Sequence, residues 1–320
     1  MINILVSGAS GIVGYGILRS LKKTNKELKL FGSSIYKDSV AEGFCDVFEL
    51  APLTRSENYI NWLLSTIKNH EIKLIIPGIE DDLYEWAKHI SVIENAGAKV
   101  LMNDLKLINL CKDKWEFYEF LKQHTTNSII ESSLSQSYKT LNELFGLPFL
   151  LKPRRGFGSK GIVVVKNEDD FNLAQKQSKF ALMAQKFVGN ENEEYTTSAF
   201  CNGKGGFFAS MTLKRKLSKD GFTDRAEVVN SKEIIEVIST LCEIFKPIGP
   251  TNFQFRLHEG VFKLLEINPR ISSSTSIRAA FGYNESLMAV EYYIEEKIPL
   301  QPLIREGKAV RYIEDLIFYS

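Results

Sequence analysis

From Met1 to about residue 105, short continuous apolar runs alternate with stretches of helical periodicity, and this alternation restricts the fold more than any other feature of the chain. INILVSG, LKLFGSS, DVFELA, KLIIPG and AKVLM read as strands, with helices from Ile12 to Lys23, Tyr59 to His70 and Leu83 to Ala96 between them. Strands that are apolar on both faces must be covered on both, and a parallel sheet with crossover helices does this. Residues 1–105 are therefore predicted to form a doubly wound, Rossmann-like α/β domain.

Beyond that point the pattern becomes α+β. A helix from Lys112 to His124, the strands LPFLLKP, GIVVVK and FALMAQKFV, and a helix from Glu168 to about Ser178 make a second unit at 106–187. EEYTTSAF, GGFFASMTL, a helix from Ser231 to Phe245, the pair TNFQFRL and VFKLLEIN, and a helical stretch from Asn284 to Glu295 make a third at 188–320. A chain of 320 residues, 44% hydrophobic, can bury enough surface for such an arrangement. Forty basic against 39 acidic residues leave a net charge of +1, so no global field attracts nucleic acid or an anionic membrane.

The cysteines, Cys45, Cys111, Cys201 and Cys242, lie too far apart for a zinc motif and read as free thiols in a reducing compartment. His70, His89, His124 and His258 are equally scattered and suggest neither a metal cluster nor a triad. The chain opens directly on a strand, without a basic leader and apolar core, and holds no apolar run long enough to span a bilayer. A cytoplasmic protein is expected, with its oligomeric state open between monomer and homo-oligomer.

Two glycine-rich stretches raise the question of phosphate binding. GASGIVGYG, with Gly8, Gly11 and Gly14, follows a strand and opens a helix, the context in which a helix N-terminus meets a pyrophosphate. A nicotinamide dinucleotide oxidoreductase would also need an acidic residue at the end of the second strand. Gly32, Ser33 and Ser34 stand there instead, and Asp38 comes several residues too late. The glycines serve either an anion or simply a tight turn into a packed helix.

The second stretch, LLKPRRGFGSKGIVVVK, sets Lys152, Arg154, Arg155 and Lys160 around Gly156, Gly158 and Gly161. It lacks Walker A spacing and leads into a strand rather than a helix, so it reads as a flap between two strands. Such a flap can close over a polyphosphate. An ordinary solvated hairpin loop would have the same composition. Lys152 separates the two readings, because it ends an apolar strand where a lysine is not expected.

KLLEINPRISSST places Glu266, Asn268 and Arg270 at alternate positions of a strand, hence on one face. A hairpin with TNFQFRL turning at Gly260 pairs residues whose numbers sum to 520, which sets Gln254 opposite Glu266. One carboxylate and two amide oxygens carry little charge of their own, and suit Mg²⁺ that completes its shell with water and nucleotide phosphates. Arg270 can then contact phosphate oxygens or a substrate carboxylate. The run from Ser272 to Ser276 has no evident role.

These segments, with CKDK, QKFVGNENEEY and NFQFRL, resemble the ATP-grasp superfamily, most closely the synthetase units of the carbamoyl-phosphate synthetase large subunit and related carboxylate-amine ligases. The resemblance implies a Rossmann-like pre-ATP-grasp domain at 1–105, a small lobe with the glycine flap at 106–187 and a large lobe at 188–320. It implies ATP and Mg²⁺ as cofactors, with Mn²⁺ an acceptable substitute. Lys114 and Lys152 would hold phosphates, Gln185 with Lys186, Phe187 and Val188 the adenine, and Glu194, or Glu193 beside it, the ribose. Gln254, Glu266 and Asn268 match the metal positions and Arg270 a phosphate-contacting arginine.

Arg215 and Arg225, in LKRKLSKDGFTDR, are weaker candidates for the acylphosphate or the acid, with a solvated loop the alternative. Glu80 and Asp81 in PGIEDD sit where open sheets bind ligands, or merely cap a helix. The implied activity is an ADP-forming ligase joining a small carboxylic acid to an amine through an acylphosphate. With one grasp unit and no amidotransferase-like segment, carbamoyl phosphate synthesis itself is not implied. The alternatives are the oxidoreductase and a non-catalytic ATP-binding module.

Overall fold

The computed structural model describes residues 1–125, 127–156 and 160–318. In the strand Ile2–Val6, Ile4 and Val6 enter one core with Ile17 and Leu18, while Leu5 enters a second with Tyr59, Leu63 and Trp86. That two-sided burial is what a continuous apolar strand requires. The five parallel strands lie in the order Val47–Leu50, Leu28–Ser34, Ile2–Val6, Leu74–Ile76, Lys99–Val100.

The first glycine turn is used for close packing. A Cβ on Gly14 would lie 2.5 Å from the Gly8 carbonyl oxygen, and one on Gly78 would lie 2.1 Å from that of Ser7. Gly8 itself, at φ +56°, is covered by Ile79 of the next crossover. The second strand ends at Ser34, whose hydroxyl accepts a hydrogen bond from Ser10 at 2.6 Å. These contacts favour the packing role of the glycines over a dinucleotide site.

Residues Phe149–Pro153 and Val163–Val165 form the hairpin expected around the flap; Leu182–Lys186 and Ser132–Ser133 complete an antiparallel four-stranded sheet. The middle of the flap, 157–159, including Gly158, lies outside the described residues. A helix not foreseen in the sequence, Tyr138–Phe145, covers this sheet with Leu141 and Phe145, and is capped by the Ser137 hydroxyl. Its length of 8 residues leaves too little periodicity to read.

The helix expected from Lys112 to His124 runs from Lys114 to His124, and a further helix not foreseen in the sequence, Leu105–Lys112, precedes it; Asp113 ends Leu105–Lys112 and caps Lys114–His124. The second of these packs Leu121 among Ile234, Ile238 and Leu241, and stacks Phe117 on Phe245 at 5.4 Å. It thus contributes to the core of the third unit.

That unit is a six-stranded antiparallel sheet in the order Val261–Asn268, Ile248–His258, Glu194–Asn202, Phe207–Leu217, Thr223–Val229, Lys308–Val310. The segment read as a possible solvated loop around Arg215 and Arg225 is two of these strands. Polar residues alternate there with buried Leu213 and Ala226, which packing against helices from another part of the chain supplies. Helix Lys232–Phe245 covers one face; helices Thr275–Ala280 and Glu285–Glu295 cover the other and meet the first domain, with Thr275 beside Gly16. Among the described residues no helix is long and apolar enough to cross a membrane.

Because the atoms opposing a Gly78 side chain are backbone, Gly78→Ala should destabilise the fold by about 1–3 kcal/mol. A lower denaturant midpoint at unchanged slope is the expected result, and an unchanged midpoint would contradict this packing role.

Candidate active site

The turn Glu259–Gly260 has positive φ at both residues, 50° and 77°, and pairs His258 with Val261. Continued without a break, that register would set Gln254 against Leu265 and turn Glu266 into the core. A bulge intervenes: Phe255 pairs with Leu264 and Gln254 with Glu266, leaving Leu265 as the extra residue. The predicted pair is therefore present, although the register near the turn differs by one residue from a turn centred on Gly260. Phe262, Leu264 and Ile267 face the core, and Glu266 and Asn268 the opposite side.

Asn268 donates through Nδ2 to Glu266 Oε1 at 2.8 Å. Arg270 donates through Nη2 to Asn268 Oδ1 at 3.3 Å and to Glu80 Oε1 at 2.6 Å, an ion pair that joins this face to the first domain. Glu80, which opens the helix Glu80–Asn95, also accepts from the Tyr84 hydroxyl at 3.3 Å. The Cys111 thiol is pushed up by burial and by the charges of Glu266 and Glu80, so all three lie in one region.

Lys152 is only 7% exposed. Its ammonium donates to Gln185 Oε1 at 2.8 Å. Desolvation, and then the charge of Lys114, pull its pKa down to about 8, with Glu266 opposing them. Gln185 donates in turn to the Ser132 hydroxyl at 3.0 Å, so its amide is occupied within the four-stranded sheet. Lys114 donates to the Gly156 carbonyl at 2.8 Å.

Asp113 receives Arg154 at 2.9 Å and Arg155 at 3.2 Å besides the amides of Trp115 and Glu116. Burial would raise its carboxyl, but these donors hold it below the usual carboxylate range. Two of the four flap cations are thus anchored to a helix start.

The hinge follows. The Lys186 amide donates to the Glu131 carbonyl, Val188 is buried with its carbonyl accepting Arg256 Nη1 at 3.5 Å, Phe187 is half-buried, and the Gly189 amide donates to His258 Nδ1. Glu194, 4% exposed, shares the site face with Thr196 and Gln254. Its carboxylate takes Arg215 Nη2 at 2.9 Å on Oε1 and Arg256 Nη2 at 2.9 Å on Oε2.

Arg215 also donates to Gln254 Oε1 at 2.7 Å. Glu193 pairs with Lys214 and the Tyr195 hydroxyl instead. Arg225, opposite Lys216, is on the sheet face away from Arg215 and is not brought to this site.

Sequence reasoning missed Asp113, Arg256 and the Glu80–Arg270 pair. Arg256 was readable, two residues beyond Gln254 on the same face. The ion pair spans 190 residues and had no local signal.

A family described as "ATP-grasp in the biosynthetic pathway with Ter operon" matches residues 181–316. The fold is shared with N5-carboxyaminoimidazole synthetase from Staphylococcus aureus complexed with ADP, at TM-score 0.71 and 18% identity over 95% of this chain and 80% of that one. The chain has the ATP-grasp fold, and residues 181–316 match an ATP-grasp family.

Biotin carboxylase from Campylobacter jejuni shares the ATP-grasp fold at TM-score 0.72 and 17% identity, over 96% of this chain and 74% of that one. The carbamoyl phosphate synthase large chain of Pseudothermotoga lettingae is 26% identical over 225 residues, 64% of this chain and 20% of that protein. This chain thus spans about a fifth of the length of that relative.

The Asp113 carboxylate ties flap to helix within this ATP-grasp fold. Asp113→Ala should cost about 1 kcal/mol or more through the lost cap, and speed tryptic cleavage after Arg155. A wild-type cleavage rate would refute the anchoring role.

Proposed function

We propose that this chain is an ATP-dependent, ADP-forming ligase that activates a carboxylic acid as an acylphosphate and transfers the acyl group to an amine. Lys152 carries this reading. A buried ammonium with an amide for its hydrogen-bond partner and a second lysine near it is poorly compensated in the free protein. It is stabilised when polyphosphate enters.

The donor set suits a hard cation. Glu266 forms no salt bridge among the described residues, and Gln254 and Asn268 flank it on the same face; their amide oxygens accept Arg215 and Arg270 in the free protein, so those guanidinium groups must yield for the oxygens to reach a cation. No trio of His, Cys, Asp or Glu stands together among the described residues, so a cation here would depend on nucleotide phosphates for charge. Mg²⁺, or Mn²⁺ in its place, would be held by Gln254, Glu266 and Asn268, and would supply neutralisation of charge on the phosphates.

Lys114 and Lys152 hold the phosphates from the small-lobe side, and Lys186 to Val188 border the adenine. Glu194, on the site face and oriented by two arginines, is the ribose acceptor in preference to Glu193. A substrate carboxylate oxygen attacks the γ-phosphorus, and the bond to the β,γ-bridging oxygen breaks, with its electron pair leaving on ADP. Arg270 meets the transferring phosphoryl group. The amine nitrogen then attacks the acyl carbon, phosphate leaves with the acyl–oxygen electrons, and the ammonium proton passes to solvent.

Arg215, buried against Glu194 and Gln254, positions those two groups rather than touching the acid. The acid and amine are small molecules that screening must identify. ADP and phosphate should appear only with the right acid, hydroxylamine should trap an acyl hydroxamate, and Glu266→Ala should lower both by about 100-fold or more. Wild-type rates in that variant would defeat the proposal.

A pH dependence follows from Lys152. Its free-protein pKa of about 8 must rise when phosphates bind, so binding takes up a proton and nucleotide affinity falls as pH rises above 8. Calorimetry in two buffers of different ionisation enthalpy should show this uptake, and Lys152→Met should abolish it. At pH 8, equal apparent enthalpies in the two buffers for the wild type would mean that Lys152 does not change protonation on binding and would overturn this pH dependence.

A further inference from the structure

A second cationic group lies beneath the same face, and the ligase scheme does not use it. Arg278, in the helix Thr275–Ala280, is fully buried, as is its partner Glu285 at 3.2 Å. Burying a guanidinium and a carboxylate together is costly, and a well-packed apolar pair of similar volume is often at least as stable. The reason for this pair must lie in what else the guanidinium holds.

It holds three neutral acceptors. Nη2 donates to Asn252 Oδ1 at 2.8 Å and to Thr196 Oγ1 at 3.0 Å, and Nη1 donates to Ser272 Oγ at 2.8 Å. Each acceptor is one step from a residue of the proposed metal and phosphate face. Asn252 is the cross-strand partner of Asn268, Thr196 that of Gln254, and Ser272 stands two residues after Arg270. Thr196 additionally donates to Asn252 Oδ1 at 2.8 Å, and Ser198, the neighbour of Asn252 in the next strand, donates to Glu285.

We propose that Arg278 is a positioning residue for the metal–nucleotide face: its planar fork fixes three backbone segments relative to one another, and Glu285 fixes the fork. The geometry gives the run from Ser272 to Ser276 its function. Ser272 receives the fork, and Ser274 bonds with Thr223 at 2.8 Å, fastening the chain between Arg270 and the helix that carries Arg278. A lysine cannot replace the fork, because a single ammonium cannot meet separated acceptors in one plane. This inference rests on the reading of Gln254, Glu266 and Asn268 as metal donors.

The test compares affinity for ADP alone with affinity for ADP in saturating Mn²⁺, by calorimetry, and follows bound Mn²⁺ by electron paramagnetic resonance. In Arg278→Lys and in Arg278→Met/Glu285→Met, metal-free ADP should bind within about twofold of wild type, while the Mn²⁺ enhancement falls about 10-fold to 100-fold. Ser272→Ala and Thr196→Val, which remove one acceptor each and leave the buried charges paired, should show smaller losses of the same kind and serve if the arginine variants do not fold.

Wild-type enhancement in any folded arginine variant, or in both acceptor variants, would overturn the positioning role. Equal loss of metal-free and metal-bound affinity would also overturn it, because that is the mark of a merely structural residue. If the wild type itself shows no Mn²⁺ enhancement, the metal reading fails first and takes this proposal with it.

Discussion

The candidate site depends on a single extra residue in one edge strand. Leu265, bulged out of the ladder between Val261–Asn268 and Ile248–His258, reverses the alternation set by the Glu259–Gly260 turn. Phe262 and Leu264 fill the core on one side of the bulge, and Ile267 does so on the other. Glu266 and Asn268 are released to the opposite face beside Gln254. Without the bulge, the hydrophobic pattern and the polar pattern of this strand could not both be satisfied, because a one-residue slip exchanges the two faces.

Around that face the charges are arranged in opposed sets. On the side of the four-stranded sheet stand Lys152 and Lys114, the first buried and drawn down by desolvation and by the second. On the opposite side, Glu194 is held by Arg215 and Arg256, whereas Glu266 forms no salt bridge among the described residues. A buried carboxylate that accepts two guanidinium groups is rigid; one with a single amide neighbour keeps capacity for a cation. The difference in partners, rather than in residue type, separates the acid proposed for the ribose from the acid proposed for the metal.

The first domain enters the site through Glu80, which holds Arg270, and through the helices Thr275–Ala280 and Glu285–Glu295, which share a core with Ile12–Lys22. Its glycine turn is filled by backbone packing, so the phosphate-binding look of GASGIVGYG reflects the tightness of the strand-to-helix turn. The flap glycines occupy a different setting, a hairpin whose root is tied by Arg154 and Arg155 to Asp113. Two similar compositions thus serve different ends, and only their neighbours tell them apart.

By itself the sequence determined the parallel sheet, the hairpin under the flap, the misplaced Lys152 and the face shared by Glu266 and Asn268. All of these are written in periods of two and 3.6 residues, which depend on local geometry alone. The tertiary structure alone decided the bulge at Leu265 that brings Gln254 opposite Glu266, the helix Leu105–Lys112 that ends at Asp113, the strand Thr223–Val229, and the contacts of Arg270 with Glu80 and of Arg278 with Thr196. The last two join residues 190 and 82 positions apart. No periodicity encodes such pairs, because their energy comes from desolvation and geometry that exist only once the separate layers have packed together.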